Sequence, residues 1–195
     1  MSIPPMRPAL PMQQLRSADN PMDIYRYLSL PEIFESAVIP ARQIPFSRSV
    51  ADACRSNQCG KYGTCWTCPP GVGAYQELEK KIKTYENAAI FTCKYPLEDA
   101  FDFEGMMDAQ KAAMQILYGI MDKMREEGEA FWALGCGGCS LCKKCTYPDA
   151  PCRFPEKAVV SVEACGINVV ELARNTNIHY HNGSNTVTYF CIVLF

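Results

Sequence analysis

Long hydrophobic runs and any strong charge bias are missing from this 195-residue chain, and histidine is scarce, with two residues. No apolar stretch approaches the roughly 20 residues that a membrane-spanning helix needs. Formal net charge is −2 and the pI is near 5.7, so nothing marks nucleic acid or an anionic membrane as the partner. The opening "MSIPPMRPALPMQQLRSADNP" has prolines where a secretory signal needs an apolar helical run. It reads as a flexible leader, residues 1–20, on a cytoplasmic protein, with a single domain over 21–195. A phosphate-binding glycine loop, a nucleophile elbow and an H-E-x-x-H motif are absent. "GCGGC" resembles a dinucleotide fingerprint only loosely, and its cysteines contradict that use. The two histidines, His179 and His181, form an H-x-H pair in a turn without evident partners, which reads as an exposed loop.

What is there instead is cysteine, twelve residues of it. In a small secreted chain this number implies a disulfide framework; without an export signal it points to metal ligands or redox thiols. Spacing has to choose between them.

Elsewhere the pattern alternates helix and strand. A short helix is expected within "MDIYRYLSLPEIFES", a strand in "AVIPARQIPF", and a helix in "AYQELEKKIKTYE" with Tyr75, Leu78, Ile82 and Tyr85 on one face. "AAIFTCKY" reads as a buried strand. The next helix carries a stripe of Met106, Ala109, Ala113, Leu117, Ile120 and Met124 and ends at Gly128. "EAFWALG" and "TVTYFCIVLF" read as strands. Between them a helix breaks at Gly166 and restarts with Asn168 as N-cap and Glu171 three residues on. This order argues for an α/β fold, a mixed sheet with flanking helices, into which two cysteine-rich, ferredoxin-like loops are inserted.

The second cysteine group, residues 136–152, holds Cys136, Cys139, Cys142, Cys145 and Cys152. Cys139, Cys142 and Cys145 form C-x2-C-x2-C, and Cys152 follows beside Pro151, much as bacterial ferredoxins hold a cubane cluster. Such a cluster needs the chain to coil around it, with thiolates converging and backbone N–H groups facing the sulfides. Zinc more commonly takes two C-x2-C knuckles separated by a longer spacer. Spacing thus favours iron–sulfur and keeps zinc as the alternative. Cys136, at a strand end, reads as a buried small residue beside a complete set of four.

The first group, residues 54–68, holds Cys54, Cys59, Cys65 and Cys68, with four, five and two intervening residues. This matches no standard zinc module, nor the C-x3-C-x2-C of radical enzymes, and reads as a second cluster, with a zinc or redox site as the alternative. If Cys65 stands aside, one iron is open to a substrate. Residues 54–68 and residues 136–157 each carry +2 while the rest of the chain is −6, and cationic neighbours offset the charge of a thiolate-ligated centre. Solvated basic loops account for the same counts equally well. Trp66, Tyr62, Tyr147 and Phe154 flank the cysteines as shields or as ordinary loop anchors. Cys93 and Cys191 lie in apolar strands and read as core, Cys165 as packing against the cluster loop, and Glu163 as a helix cap, with contact to the site as its alternative.

"CRSNQCGKYGTCWTCPPGVG", "CSLCKKC", "PCRFPEKAVVSVEACGINV" and "TVTYFCIVLF", in that order, resemble the family known as domain of unknown function 2284. That resemblance implies metal binding. It extends to Cys54, Cys59, Tyr62, Gly63, Trp66, Cys68, Pro69 and Pro70, and to Cys139, Cys142, Cys145, Cys152, Arg153 and Glu163. Cys65 and Cys136 fall where the family pattern does not require cysteine.

The expectation is therefore a protein binding two 4Fe–4S clusters, with a redox protein or a small molecule as its partner and no role for nucleic acid or membrane. Electron transfer is the first reading. The alternatives are an open-site cluster enzyme, which would make it an oxidoreductase component, and a zinc-stabilised interaction module.

Overall fold

The computed structural model describes residues 22–195; the expected leader over 1–20 lies outside them. Five strands form one mixed sheet in the order β1-β2-β5-β3-β4: β1 Glu35–Pro40, β2 Asn87–Pro96, β3 Trp132–Gly135, β4 Val160–Ser161 and β5 Thr186–Leu194. The β1–β2, β2–β5 and β5–β3 pairs are antiparallel and only β3–β4 is parallel. The helices are α1 Tyr25–Leu28, α2 Arg48–Arg55, α3 Tyr75–Ile82, α4 Phe103–Glu126 and α5 Val169–Thr176.

Strand β2 is buried without a break from Ala88 to Cys93, because helices cover both faces of the sheet. Period-two alternation sorts the residues. Ala89, Phe91, Cys93, Ala133, Cys191 and Val193 face α4, whose Ala113, Leu117, Ile120 and Met124 complete that core. Ala88, Ile90, Leu134, Ile192 and Leu194 face the opposite layer, where Leu78 and Ile82 of α3 and Leu172 of α5 pack. The α/β class with flanking helices is as the sequence implies.

The long α4 is fixed at both ends. Asp102 caps it by accepting the Gly105 N–H at 2.8 Å, Lys123 and Arg125 sit in the last turn, and Gly128 turns the chain at φ +73°. Its expected stripe holds, with Met121 added and Met106 only half-buried. Asn168 caps α5 through the Glu171 N–H, and the break at Gly166 is a left-handed residue at φ +75° after a 3-10 turn, Glu163–Cys165. Two elements are not in the pattern: α2, which contains Cys54, and the two-residue β4.

Candidate metal centre

Each cysteine group hangs from a fixed element. The first leaves α2, whose last turn holds Cys54, and Asn57, Gly60 and Gly63 then take positive φ so that the chain can coil tightly. The coil is closed by Gly63 N–H to the Pro69 carbonyl at 2.8 Å and Tyr62 N–H to Asn57 Oδ1 at 2.9 Å. Cys65 and Cys68 end up buried, Cys54 half-buried and Cys59 exposed. The stretch expected as loop therefore begins on a helix.

The second group leaves β3. Gly135 and Gly137 pass directly under α4: a Cβ on Gly135 would meet Met114 Sδ at 2.6 Å, and one on Gly137 would meet Gln110 Nε2 at 2.3 Å. Beyond that point, among the described residues, no backbone–backbone hydrogen bond holds 136–145. The rest of the loop is tied locally: Ala150 N–H reaches the Thr146 carbonyl at 3.0 Å, Thr146 Oγ1 donates to the Pro151 carbonyl at 2.8 Å, and Arg153 Nη1 donates to the Lys144 carbonyl at 2.9 Å.

Cys139, Cys142, Cys145 and Cys152 line one shallow cavity that opens to solvent. Its far wall comes from the first loop, through Cys65, Trp66 and Thr67. The two loops interlock there. Trp66 donates its indole N–H to the Ala150 carbonyl at 3.0 Å and meets the Tyr147 ring edge-on at 4.9 Å between centroids. Lys61 lies along Gly138, and Gly71 leaves room for Tyr147 and the Cys65 carbonyl.

The thiols are electrostatically distinct. Cys65 is pulled down, chiefly through its hydrogen bonding with the Cys68 thiol; Thr67, by hydroxyl and N–H, and the Cys68 N–H add to this against the opposing effect of burial. Cys68, the donor, is pushed up accordingly, and the charges of Cys65, Cys59 and Cys54 push the same way. Cys54 is raised by burial and then by Glu163 and Cys59. Cys139 is raised by burial, opposed by the Leu141 N–H, and feels Cys65, Cys152 and Cys145.

Cys136 stands apart from the cavity. It is 6% exposed, packs in the α4-side core, and shares a thiol hydrogen bond with Cys191 that raises the latter. Cys93 and Cys191 are core residues, and Cys165 is fully buried in the opposite core. Glu163 departs from the expected capping role. Ser161 Oγ accepts the Ala164 N–H instead, while Glu163 is solvent-accessible yet surrounded by protein, as a side chain in a cleft is. Burial raises its carboxyl, and its charge is felt at Cys54 and Cys165. His179 pairs with Glu35 at 2.6 Å on the surface, away from the cysteines that line the cavity. That Cys65 lines the cavity of the second group had no signal in the sequence, because the packing brings together segments distant along the chain.

In the described residues no three His, Cys, Asp or Glu side chains are already gathered tightly enough to hold a metal ion. The donor set nevertheless fits a thiolate-ligated centre: soft sulfur ligands on one cavity, in a loop whose N–H groups over 136–145 pair with no backbone carbonyl among the described residues.

These features define a cysteine-rich α/β protein with two interlocked thiol loops at one end of its sheet. A family model described as "Predicted metal-binding protein (DUF2284)" matches residues 37–195, and the chain belongs to that family. No curated protein and no solved structure matches it. No helix among the described residues is long and apolar enough to cross a membrane.

Proposed function

We propose that this metal-binding protein carries iron–sulfur clusters, two of the 4Fe–4S type, and works in electron transfer. The observation that carries the reading is the single cavity on which Cys139, Cys142, Cys145 and Cys152 all open, reached by a loop with no backbone ladder. A loop of that kind closes on a group larger than one ion, drawing the thiolates inward and turning free N–H groups toward the sulfides. The second centre takes its thiolates from this set; the first uses Cys54, Cys59 and Cys68, with Cys65 beside them.

The surroundings support redox use. Lys61, Lys143, Lys144 and Arg153 lie on the two loops and offset the negative charge of thiolate-ligated iron, which helps set its potential. Trp66 and Tyr147 close one side against water. A cluster of this kind exchanges single electrons with a redox protein or a small molecule at the open side of the cavity. Anaerobic purification followed by iron and acid-labile sulfide analysis tests the reading. Iron and sulfide in equal amounts support it, and a colourless protein holding only zinc refutes it.

A further inference from the structure

Cys65 touches both cysteine groups. On one side it is held within the first group, where the Cys68 N–H donates to the Cys65 carbonyl at 3.4 Å and both side chains are buried. On the other it forms part of the wall of the second group's cavity. We propose that Cys65 is a junction thiol, serving the centre of its own loop and forming part of the site of the other, so that the two centres stand side by side. The inference rests on the reading of both groups as metal centres.

The position is built, and a chance approach of two mobile loops does not account for it. Cys65 is 4% exposed, and its sulfur lies 3.6 Å from Thr67 Oγ1. The next residue, Trp66, is fastened to the second loop by its bond to the Ala150 carbonyl and by the Tyr147 ring. The Cys65 carbonyl is gripped from behind, since even a methyl group on Gly71 would come within 2.7 Å of it. These contacts fix the backbone on both sides of Cys65 against the second loop. Cys54 and Cys145, by contrast, each belong to one group only. They supply the controls.

The test compares variants in pairs, reading metal bound per chain and the electron paramagnetic resonance spectrum after dithionite reduction. Cys54→Ser removes the first centre and Cys145→Ser the second. Adding Cys65→Ser to Cys54→Ser is expected to alter or release the second centre, and adding it to Cys145→Ser to alter or release the first. If either double variant matches its parent, Cys65 serves one group only and the proposal fails. Should the Cys65 variants not fold, as judged by circular dichroism, the reduced wild-type protein decides. Its two centres should broaden or split each other's signals, and Cys145→Ser should leave one unsplit signal; two signals that simply add overturn the proposal. A wild-type chain that holds zinc alone sinks the iron–sulfur reading instead. The metal-per-chain comparison of the double variants then still decides the role of Cys65.

Discussion

The indole N–H of Trp66 donates to the carbonyl of Ala150 at 3.0 Å, across 84 positions of sequence. It is the bond that joins one cysteine loop to the other, and it is buried, with Trp66 only 6% exposed. Trp66→Phe keeps an aromatic ring against Tyr147 but leaves that carbonyl without its donor. It should cost about 1 kcal/mol in chemical denaturation of the metal-free protein. The same variant should release metal faster to a chelator, because the loops are less firmly joined. An unchanged release rate would show that the bond plays no part in holding the site.

Two glycines are expected to respond in opposite directions to the same change. At Gly71 a Cβ would meet the Cys65 carbonyl at 2.7 Å and the Tyr147 ring at 2.9 Å, and neither backbone nor ring can withdraw cheaply. Gly71→Ala should destabilise by about 1–3 kcal/mol. Gly119 lies on the exposed side of α4 with nothing within 4 Å of an added Cβ. There alanine removes the entropy cost of glycine in a helix, and Gly119→Ala should stabilise by about 0.5–1 kcal/mol. Denaturant midpoints of the two variants measure both signs.

Stability should fall on the alkaline side. Burial, with Cys136 next, holds the Cys93 thiol up from the ordinary 9.0 to about 12. Tyr189 is likewise raised from 10.0 to about 12. A raised folded-state value means that the native protein keeps a proton that the unfolded chain has lost. The contribution is therefore complete below about pH 9 and disappears as pH climbs toward 12. For the nearly inaccessible Cys93 the slope is up to about 1.4 kcal/mol per pH unit. Cys93→Ala should flatten the decline of stability between pH 9 and 12, followed in a thiol reductant. An unaltered slope would remove Cys93 from this account.

Metal removal should loosen the second loop and spare the sheet. Residues 136–145 have no backbone ladder, whereas β2 and β5 pair along nine residues each, in the middle of the sheet. Chelated protein should be cut by trypsin at Lys143 and Lys144 well before the core is attacked, and loaded protein should resist at those bonds. Mass spectrometry of the first fragments reads the outcome. Equal cleavage with and without metal would mean that the loop does not fold around one.

Most of the scaffold was legible in the sequence because local chemistry decided it. The α4 stripe from Ala109 to Met124, its glycine stop and the Asn168 cap are near-neighbour effects, and they fall where the residues place them. Helix α2 was not legible: "RSVADACR" has no buried residue, so no apolar face announces it. Strand β4 is too short for any periodic signal, and its partner is β3, some twenty-five residues earlier. At the site, spacing drew attention to both cysteine groups. It could not show that Cys65 lines the cavity of the second group or that Glu163 lies near Cys54, since both follow from packing between distant segments.

The central claim is that thiolate-held iron–sulfur centres occupy these loops, and electron paramagnetic resonance of the anaerobically purified, dithionite-reduced protein tests it most directly. The account predicts signals of reduced 4Fe–4S clusters, absent before reduction and lost for one centre in Cys152→Ser. A protein with bound metal that stays silent and colourless throughout reduction would contradict it.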